Sequence, residues 1–322
     1  MTTPVGPDRG TRVLEPVRSL QLAFLARRYY VDGKSKVEIA EETGISRFRI
    51  ARLLDEAKEA GIVTISIANP TLIDTERSLA ISERYGLTQA LVATSADFSE
   101  ASARSAAAAL GAALLAETLT EDDVVGVGWG RTLFELMSHL GELAPCSAVQ
   151  VVGGMPDVEL WMNSVDLVRR FAAHTGGQMT TFLLPYLTSD EATAASLRRD
   201  AGFRRAVGCF SSLTVLVAAI GSWDPPKSGL FDLLTEDERS EIIKAGVVAD
   251  MFGTLVDADG QIVSTGLERR CIGITPSEIA NVPSVVAISS GVDKAHAIKA
   301  VLKSGLVHSL VTDLGAADLL LE

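Results

Sequence analysis

The stretch SKVEIAEETGISRFRIARLL, residues 35–54, decides the fold of the amino-terminal part of the chain. Ser35 and Ser46 each precede a helical spacing of apolar residues, where a serine hydroxyl caps the free amides at a helix start. Glu38 completes a capping box with Ser35. Gly44 lies between the two patterns and supplies the left-handed backbone that a tight turn needs. The stretch therefore predicts two short helices joined by a tight turn.

A third helix and the packing positions define the motif more closely. In a twenty-residue window that begins at Lys36, the small Ala40 lies where the helices cross, and the branched Ile50 packs the second helix on the first. The spacing over Ser19–Val31 predicts a preceding helix that stops at Asp32-Gly33. Together these features predict a helix-turn-helix domain, followed by a strand over residues 62–67.

The exposed start of the second helix of the motif is basic. Guanidinium groups at this place can reach guanine edges or phosphates in the major groove. An ordinary helical hairpin with a solvated basic face is the plain alternative, and a scaffold whose head binds protein is a further one. The predicted DNA-binding residues are Lys36, Ser46, Arg47, Phe48, Arg49 and Arg52.

The composition is compatible with this prediction. The net charge is -12, yet residues 1–66 carry 11 Lys and Arg against 9 Asp and Glu, and the remaining residues carry 18 against 32. A nearly neutral head on an acidic body suits a small DNA-binding module. The length of 322 residues predicts about two domains. We expect a disordered tail over 1–18, the DNA-binding domain over 19–68 and a larger domain over 69–322, with the boundary at Asn69-Pro70.

The larger part alternates helical patterns with short apolar strands. This alternation predicts a doubly wound α/β domain whose parallel sheet is covered on both faces. Ligands of such sheets bind beyond the carboxyl ends of the strands. The predicted helices cover residues 72–85, 100–119, 132–140, 163–175 and 294–304, and the predicted strands cover 89–93, 123–127, 148–152, 179–183, 215–220, 285–289 and 309–311.

A glycine-rich turn follows the second of these strands. In VVGVGWGRTL, residues 124–133, the amides after Gly128 and the dipole of the next helix make an anion cradle. The spacing fits neither a P-loop nor a complete dinucleotide fingerprint. A purely structural glycine turn is the alternative. The candidate ligand residues here are Gly128, Trp129, Gly130, Arg131 and Thr132.

Two other strand ends support a binding site. Gly153 and Gly154 end one strand, so that backbone can approach a ligand closely. Gly291 and Lys294 follow another strand, and a lysine in the first turn opposes the helix dipole unless an anion lies between them. A solvated surface lysine is the alternative.

Several of these segments, in this order, resemble the SorC/DeoR family of sugar-binding bacterial transcriptional regulators. The resemblance runs from about Leu20 to Leu320 and includes the segments 26–33, 44–54, 124–133 and 285–294. It implies an effector domain with a fold like ribose-5-phosphate isomerase and glucosamine-6-phosphate deaminase. It also implies a role for Asp250 in binding sugar hydroxyls, operator DNA as partner, and assembly as a homodimer or homotetramer.

The same resemblance implies a sugar phosphate as effector, although this chain departs from the family pattern at three places, one of which is Ser290-Gly291, where only one of the family's two glycines is matched. Arg131 stands where the family usually carries a hydroxyl residue, and Val152 stands where some relatives carry a lysine that bonds covalently to an aldehyde sugar. An unphosphorylated sugar or a polyol therefore stays open as effector. So does the alternative of an isomerase-like or deaminase-like enzyme, for which Asp250 and Asp257 would be the candidate acid and base.

Other features predict what the protein lacks. The scattered Cys146, Cys209 and Cys271 have no metal-ligand spacing and predict a reduced cytoplasm. The longest apolar run, residues 213–220, is too short for a membrane span. We expect a cytoplasmic regulator that needs no cofactor and no metal, binds no membrane and is not an enzyme.

Overall fold

The computed structural model describes residues 16–63, 72–95, 99–155 and 163–322. The chain divides into two compact units, Met1–Ala68 and Asn69–Glu322. Of the sequence predictions, residues 1–15 of the tail, residues 64–67 of the strand and the boundary at Asn69-Pro70 lie outside the described residues. Residues 16–18 of the predicted tail instead belong to the first helix, where Arg18 pairs with Glu56 at 2.5 Å.

The amino-terminal unit is a helical domain with α1 (Pro16–Ala26), α2 (Lys36–Thr43) and α3 (Arg47–Glu59). A π-helical turn, Arg27–Val31, extends α1. Its core is formed by buried side chains from all three helices, namely Leu22, Leu25, Ala26, Ile39, Ile50, Leu53, Leu54 and Ala57.

The caps of this unit follow the sequence pattern. Ser35 and Glu38 form both halves of a capping box at the start of α2, and Gly44 ends that helix with φ of 66°. The Ser46 hydroxyl accepts from the Arg49 amide at the start of α3. Ile62, predicted to begin a strand, instead donates its amide to the Ala57 carbonyl and closes the end of α3.

The larger unit alternates strands and helices. In chain order its described elements are α4 (Thr75–Tyr85), β1 (Gln89–Ala93), α5 (Glu100–Thr118), β2 (Val124–Val127), α6 (Arg131–His139), β3 (Ser147–Gln150), α7 (Ser164–Thr175), β4 (Met179–Thr180), α8 (Glu191–Leu197), α9 (Ala201–Phe210), β5 (Val215–Ala218), β6 (Gly221–Ser222), α10 (Gly229–Asp232), α11 (Glu236–Lys244), β7 (Val247–Met251), β8 (Thr254–Asp257), α12 (Pro276–Ile279), β9 (Ser284–Ile288), α13 (Ala295–Lys303), β10 (Ser309–Asp313) and α14 (Leu314–Leu321). Short 3₁₀ turns cover Leu267–Arg269 and Val292–Lys294.

The described residues form a seven-stranded parallel sheet in the order β1-β10-β9-β5-β2-β3-β4. Two apolar clusters, one on each face, pack the strands against helices, as expected for a doubly wound sheet. From β2 the chain proceeds outward to β3 and β4 and then returns to β5 on the other side of β2. The carboxyl ends of β2 and β5 therefore form a topological switch point, where doubly wound sheets bind ligands.

Helices α8, α9, α11 and α14 were not predicted, and two differences concern the strands. The predicted strand over 179–183 keeps only Met179–Thr180, because the Phe182 amide turns to the Gln150 side chain. A second, antiparallel sheet of β6, β7 and β8 was missed. Its β7–β8 turn, Phe252-Gly253, has positive φ at both residues, as in a type I′ hairpin.

Candidate DNA-binding surface and effector cavity

The predicted DNA-binding residues lie at the starts of α2 and α3 of the amino-terminal unit. Ser46, Arg47, Phe48, Arg49, Arg52 and Lys36 are all exposed. Within the part of the chain that the structure describes, none of the three arginines enters an ion pair. The Arg47 guanidinium lies 4.8 Å from the centre of the Phe48 ring, which is 70% exposed. The surface thus offers unpaired guanidinium groups and an uncovered aromatic ring at the start of α3.

A cavity of about 270 Å³ lies at the switch point of the parallel sheet. Its walls come from the loops that follow β2, β3, β5 and β9, together with the start of α10 and the end of β7. We name it the effector cavity. Its charged lining residues are of both signs, namely Arg104, Arg131, Lys227 and Lys294 against Glu100, Asp232 and Asp250.

The amino terminus of α6 opens into the effector cavity without a side-chain cap. Gly130 is the N-cap residue, and an added Cβ there would lie 2.8 Å from the Ala219 Cβ. No described residue accepts a hydrogen bond from the amides of Arg131, Thr132 or Leu133. The buried Thr132 also lines the cavity and brings a hydroxyl to it. Free amides, a hydroxyl and the helix dipole together favour an anion.

Lys294 provides a cation in the same cavity. Its Nζ donates to the Ile220 carbonyl at 2.8 Å. Burial lowers the pKa of this ammonium to about 8, and the nearby Arg131 charge adds to the effect. An anion bound between Lys294 and Arg131 would offset both effects, because it would supply the missing counter-charge.

Asp250 is a buried carboxylate at the wall of the cavity. Its Oδ1 accepts from Trp223 Nε1 at 3.0 Å and from the Ser228 hydroxyl at 2.5 Å. Burial raises its pKa, while these two hydrogen bonds oppose the rise. Gly221 makes the arrangement sterically feasible, because an added Cβ would lie 2.4 Å from Asp250 Oδ1. The outer oxygen, Oδ2, has no partner among the described residues.

The structure brings most of the predicted effector residues together. Trp129, Gly130, Arg131, Thr132, Gly153, Asp250 and Lys294 line the effector cavity, as does Val152. Gly128 lies beneath the Phe252 ring, since an added Cβ would lie 2.3 Å from its Cε1. Gly154 exchanges backbone hydrogen bonds with Leu184 and Tyr186. Gly291 borders a neighbouring cavity beside Asp313. The last three glycines shape the site without lining the effector cavity.

Sequence reasoning missed several lining residues, including Tyr186 and Ser228 and four charged residues, namely Glu100, Arg104, Lys227 and Asp232. Lys227 Nζ lies 2.9 Å from Glu100 and 3.5 Å from Asp293, and Arg104 pairs with Glu135 at 2.9 Å. These residues come from loops and helix starts far apart in the chain, so no local spacing marks them. In the described parts of the chain, we find no group of metal-ligating side chains and no helix that could span a membrane.

Comparison with known proteins agrees with the fold. The family model described as "Putative sugar-binding domain" matches residues 70–322. The sorbitol operon regulator SorC of Klebsiella pneumoniae, whose full-length crystal structure is known, has the same fold, with a TM-score of 0.74 at 24% identity over 94% of this chain and 99% of that one. The prediction of a sugar-binding α/β domain is thereby confirmed.

Relatives of similar length are regulators. The transcriptional regulator LsrR of Enterobacter sp. (strain 638) is 26% identical over 91% of this chain and 90% of its own. The erythritol catabolism regulatory protein EryD of Brucella abortus is 28% identical over 92% of this chain and 93% of its own. The chain belongs to the SorC/DeoR family of sugar-binding transcriptional regulators. It is thus a regulator and not an enzyme of the isomerase or deaminase type.

Proposed function

We propose that this protein controls genes of carbohydrate metabolism by binding operator DNA through α3, and that a phosphorylated sugar or polyol in the effector cavity controls that binding. One observation carries the proposal: a single cavity contains the uncapped start of α6, the Lys294 ammonium and the buried Asp250 carboxylate. The first two favour a phosphate and the third favours hydroxyl groups. Names of relatives that refer to sorbitol and erythritol support the same effector class.

On the DNA side, we assign base and phosphate contacts to Arg47, Arg49 and Arg52. Lys36 and the Ser46 hydroxyl would contact the sugar-phosphate backbone of the DNA. Their exposure at the amino-terminal end of α3 supports this assignment. Phe48 would contact a thymine methyl or a sugar, because a ring that is 70% exposed gains most from apolar contact.

On the effector side, the proposal favours a phosphate ester over a neutral polyol. A neutral ligand would leave the α6 amides without an acceptor of strong negative charge and would leave Lys294 and Arg131 repelling each other. A neutral sugar or polyol remains the second candidate, because Asp250 and the Ser228 hydroxyl suit it equally well.

We further propose that the protein acts in the bacterial cytoplasm as a homodimer or homotetramer. A single helix-turn-helix reads only a few base pairs, so regulators of this type gain specificity by pairing two units on two half-sites.

The test is a mobility-shift titration of the full-length protein on the DNA upstream of its own gene, repeated with sugars, polyols and their phosphate esters. We expect a specific shift at moderate salt that at least one phosphate ester strengthens or weakens. Failure to shift this DNA more strongly than unrelated DNA would contradict the DNA-binding part. A specific shift that only neutral polyols alter would contradict the phosphate assignment.

A further inference from the structure

A phenol and a carboxylate oxygen in the effector cavity have no partner among the described residues of the protein. Tyr186 lines the cavity and is only 6% exposed, yet its hydroxyl takes part in no hydrogen bond with a described residue. Asp250 is equally buried, and both hydrogen bonds to its carboxylate use Oδ1. Buried polar atoms are normally paired, since an unpaired one loses its hydrogen bonds to water without replacement.

The backbone fixes the Tyr186 ring at the cavity wall. Its amide donates to the Gly154 carbonyl and its carbonyl accepts from the Ile272 amide, both at 2.8 Å. The adjoining backbone is packed so closely that a Cβ on Gly153 would lie 2.4 Å from the Pro185 carbonyl oxygen. The hydroxyl is therefore held in place before any ligand binds.

The Phe252-Gly253 turn keeps the space beside this hydroxyl clear. Gly253 has a φ of 79°, and an added Cβ would lie 3.3 Å from Tyr186 Oη and 3.1 Å from Cys271 Sγ. Phe252 holds a φ of 55°, a conformation that is strained for a bulky side chain, and its ring lines the same cavity. Strain of this kind persists where the surroundings impose it, commonly at ligand sites.

We propose that Tyr186 is a specificity-determining residue of the effector cavity, whose hydroxyl acts with Asp250 Oδ2 to recognise a hydroxyl group of the effector. A ligand hydroxyl can accept from the phenol and donate to the carboxylate at once. Burial raises the pKa of Tyr186 well above its usual value, so the phenol is protonated and available as a donor at neutral pH. The inference rests on the proposed function, because it takes the effector to be a hydroxylated phosphate ester.

The consequence is discrimination against deoxy compounds. A ligand that lacks the recognised hydroxyl would leave both protein groups unpaired in a buried place, whereas an ordinary apolar wall would bind both ligands alike. We expect the wild-type protein to bind one particular monodeoxy analogue about tenfold more weakly than the parent ester.

The experiment compares the full-length wild type with Tyr186→Phe by isothermal titration calorimetry. The probes are ribose 5-phosphate with 2-deoxyribose 5-phosphate, and glucose 6-phosphate with its 2-, 3- and 4-deoxy analogues. The Tyr186→Phe substitution removes one oxygen from the side chain and keeps the ring and its packing. Tyr85→Phe is the matched control, because the Tyr85 hydroxyl donates to the Leu320 carbonyl and lines neither cavity described above.

The inference predicts that Tyr186→Phe loses affinity for the parent ester and binds the discriminated analogue as the wild type does, while Tyr85→Phe keeps the wild-type ratio. An unchanged ratio of affinities in Tyr186→Phe would overturn the inference and leave the proposed function intact. Absence of wild-type binding to every ester at millimolar concentration would overturn both the phosphate assignment and this inference.

Discussion

The two units of this protein place their functional residues in different ways. The DNA-binding candidates lie within Lys36–Arg52, on two short helices whose caps and turn are coded by neighbouring residues. The effector cavity draws its lining from Glu100 to Lys294, through loops that only the parallel sheet brings together. A function built on one helix start is therefore coded locally, whereas a function built at a sheet edge depends on the whole fold.

The largest expected effect is on DNA binding. Removing two charges from α3 tests whether this function depends on that one helix. We expect Arg47→Ala with Arg52→Ala to weaken operator binding about 100-fold or more and to make its salt dependence shallower. Neither arginine is in an ion pair among the described residues, and the Phe48 ring that Arg47 contacts is itself exposed, so the buried core of the unit keeps its contacts. Fluorescence anisotropy at several salt concentrations measures both quantities.

The matched control for this prediction is Arg204→Ala with Arg205→Ala, which removes two exposed charges from α9 of the larger unit. Equal weakening by both double variants would mean that net charge, and not α3, determines DNA affinity. Effector affinity should stay at the wild-type value in both.

The next largest effect is expected in the effector cavity. Lys294→Met keeps the aliphatic stem but removes the charge that faces the α6 cradle, and we expect affinity for a phosphate ester to fall about tenfold to 100-fold. Operator affinity without effector should not change. Lys299→Met is the control, because it removes a charge from α13, which begins directly after Lys294, at a position outside both cavities; calorimetry is the measurement. Equal losses of ester affinity in the two variants would contradict the assignment of Lys294 to an anion-binding site with the start of α6.

Affinity for the phosphate ester should also depend on pH, by a factor of several fold. Lys294 has a pKa of about 8 in the free protein, and a bound phosphate would raise it. Binding therefore takes up a proton, and affinity should fall as the pH rises through about 8, while the phosphate itself is fully ionised. Calorimetry at about pH 7 and about pH 9 measures this difference, and Lys294→Met should lack it. A pH-independent affinity in the wild type would exclude Lys294 from the site.

The smallest effect concerns stability alone. Ser35→Ala removes one half of the capping box at the start of α2 and should destabilise the amino-terminal unit by about 1 kcal/mol. Thermal unfolding followed by circular dichroism measures the loss. Ser35→Asp, which retains a capping oxygen, should restore most of it. A loss in effector affinity from Ser35→Ala would contradict a purely local role for this cap.

The sequence predicted the fold of the amino-terminal unit in more detail than that of the larger unit. Ser35, Gly44 and Ser46 have the predicted capping and turn roles, because those roles depend only on adjacent residues. The strand over 89–93 has its predicted bounds, and the helix over 100–119 ends one residue earlier, at Thr118. The sheet of β6, β7 and β8 was not predicted, since it depends on side-by-side pairing of segments that carry no strong alternation of their own.

The candidate site was predictable only where a ligand-binding feature coincides with a local motif. Gly130 to Thr132 and Lys294 follow strands directly, and a glycine or lysine at that place carries its own physical meaning. Tyr186 and Ser228 lie in connections whose sequence resembles any other loop. Their role depends on the approach of backbone segments such as Pro185 to Gly153, which no spacing reveals.

The central claim is that the effector cavity controls the DNA-binding surface, and reciprocal linkage tests it most directly. If a phosphate ester changes operator affinity by some factor, operator DNA must change the affinity for that ester by the same factor. The measurement is the operator Kd with saturating ester and without it, paired with the ester Kd with operator and without it. We expect two equal factors, each about fivefold or larger. An ester that binds in the cavity while operator affinity stays the same would contradict the account.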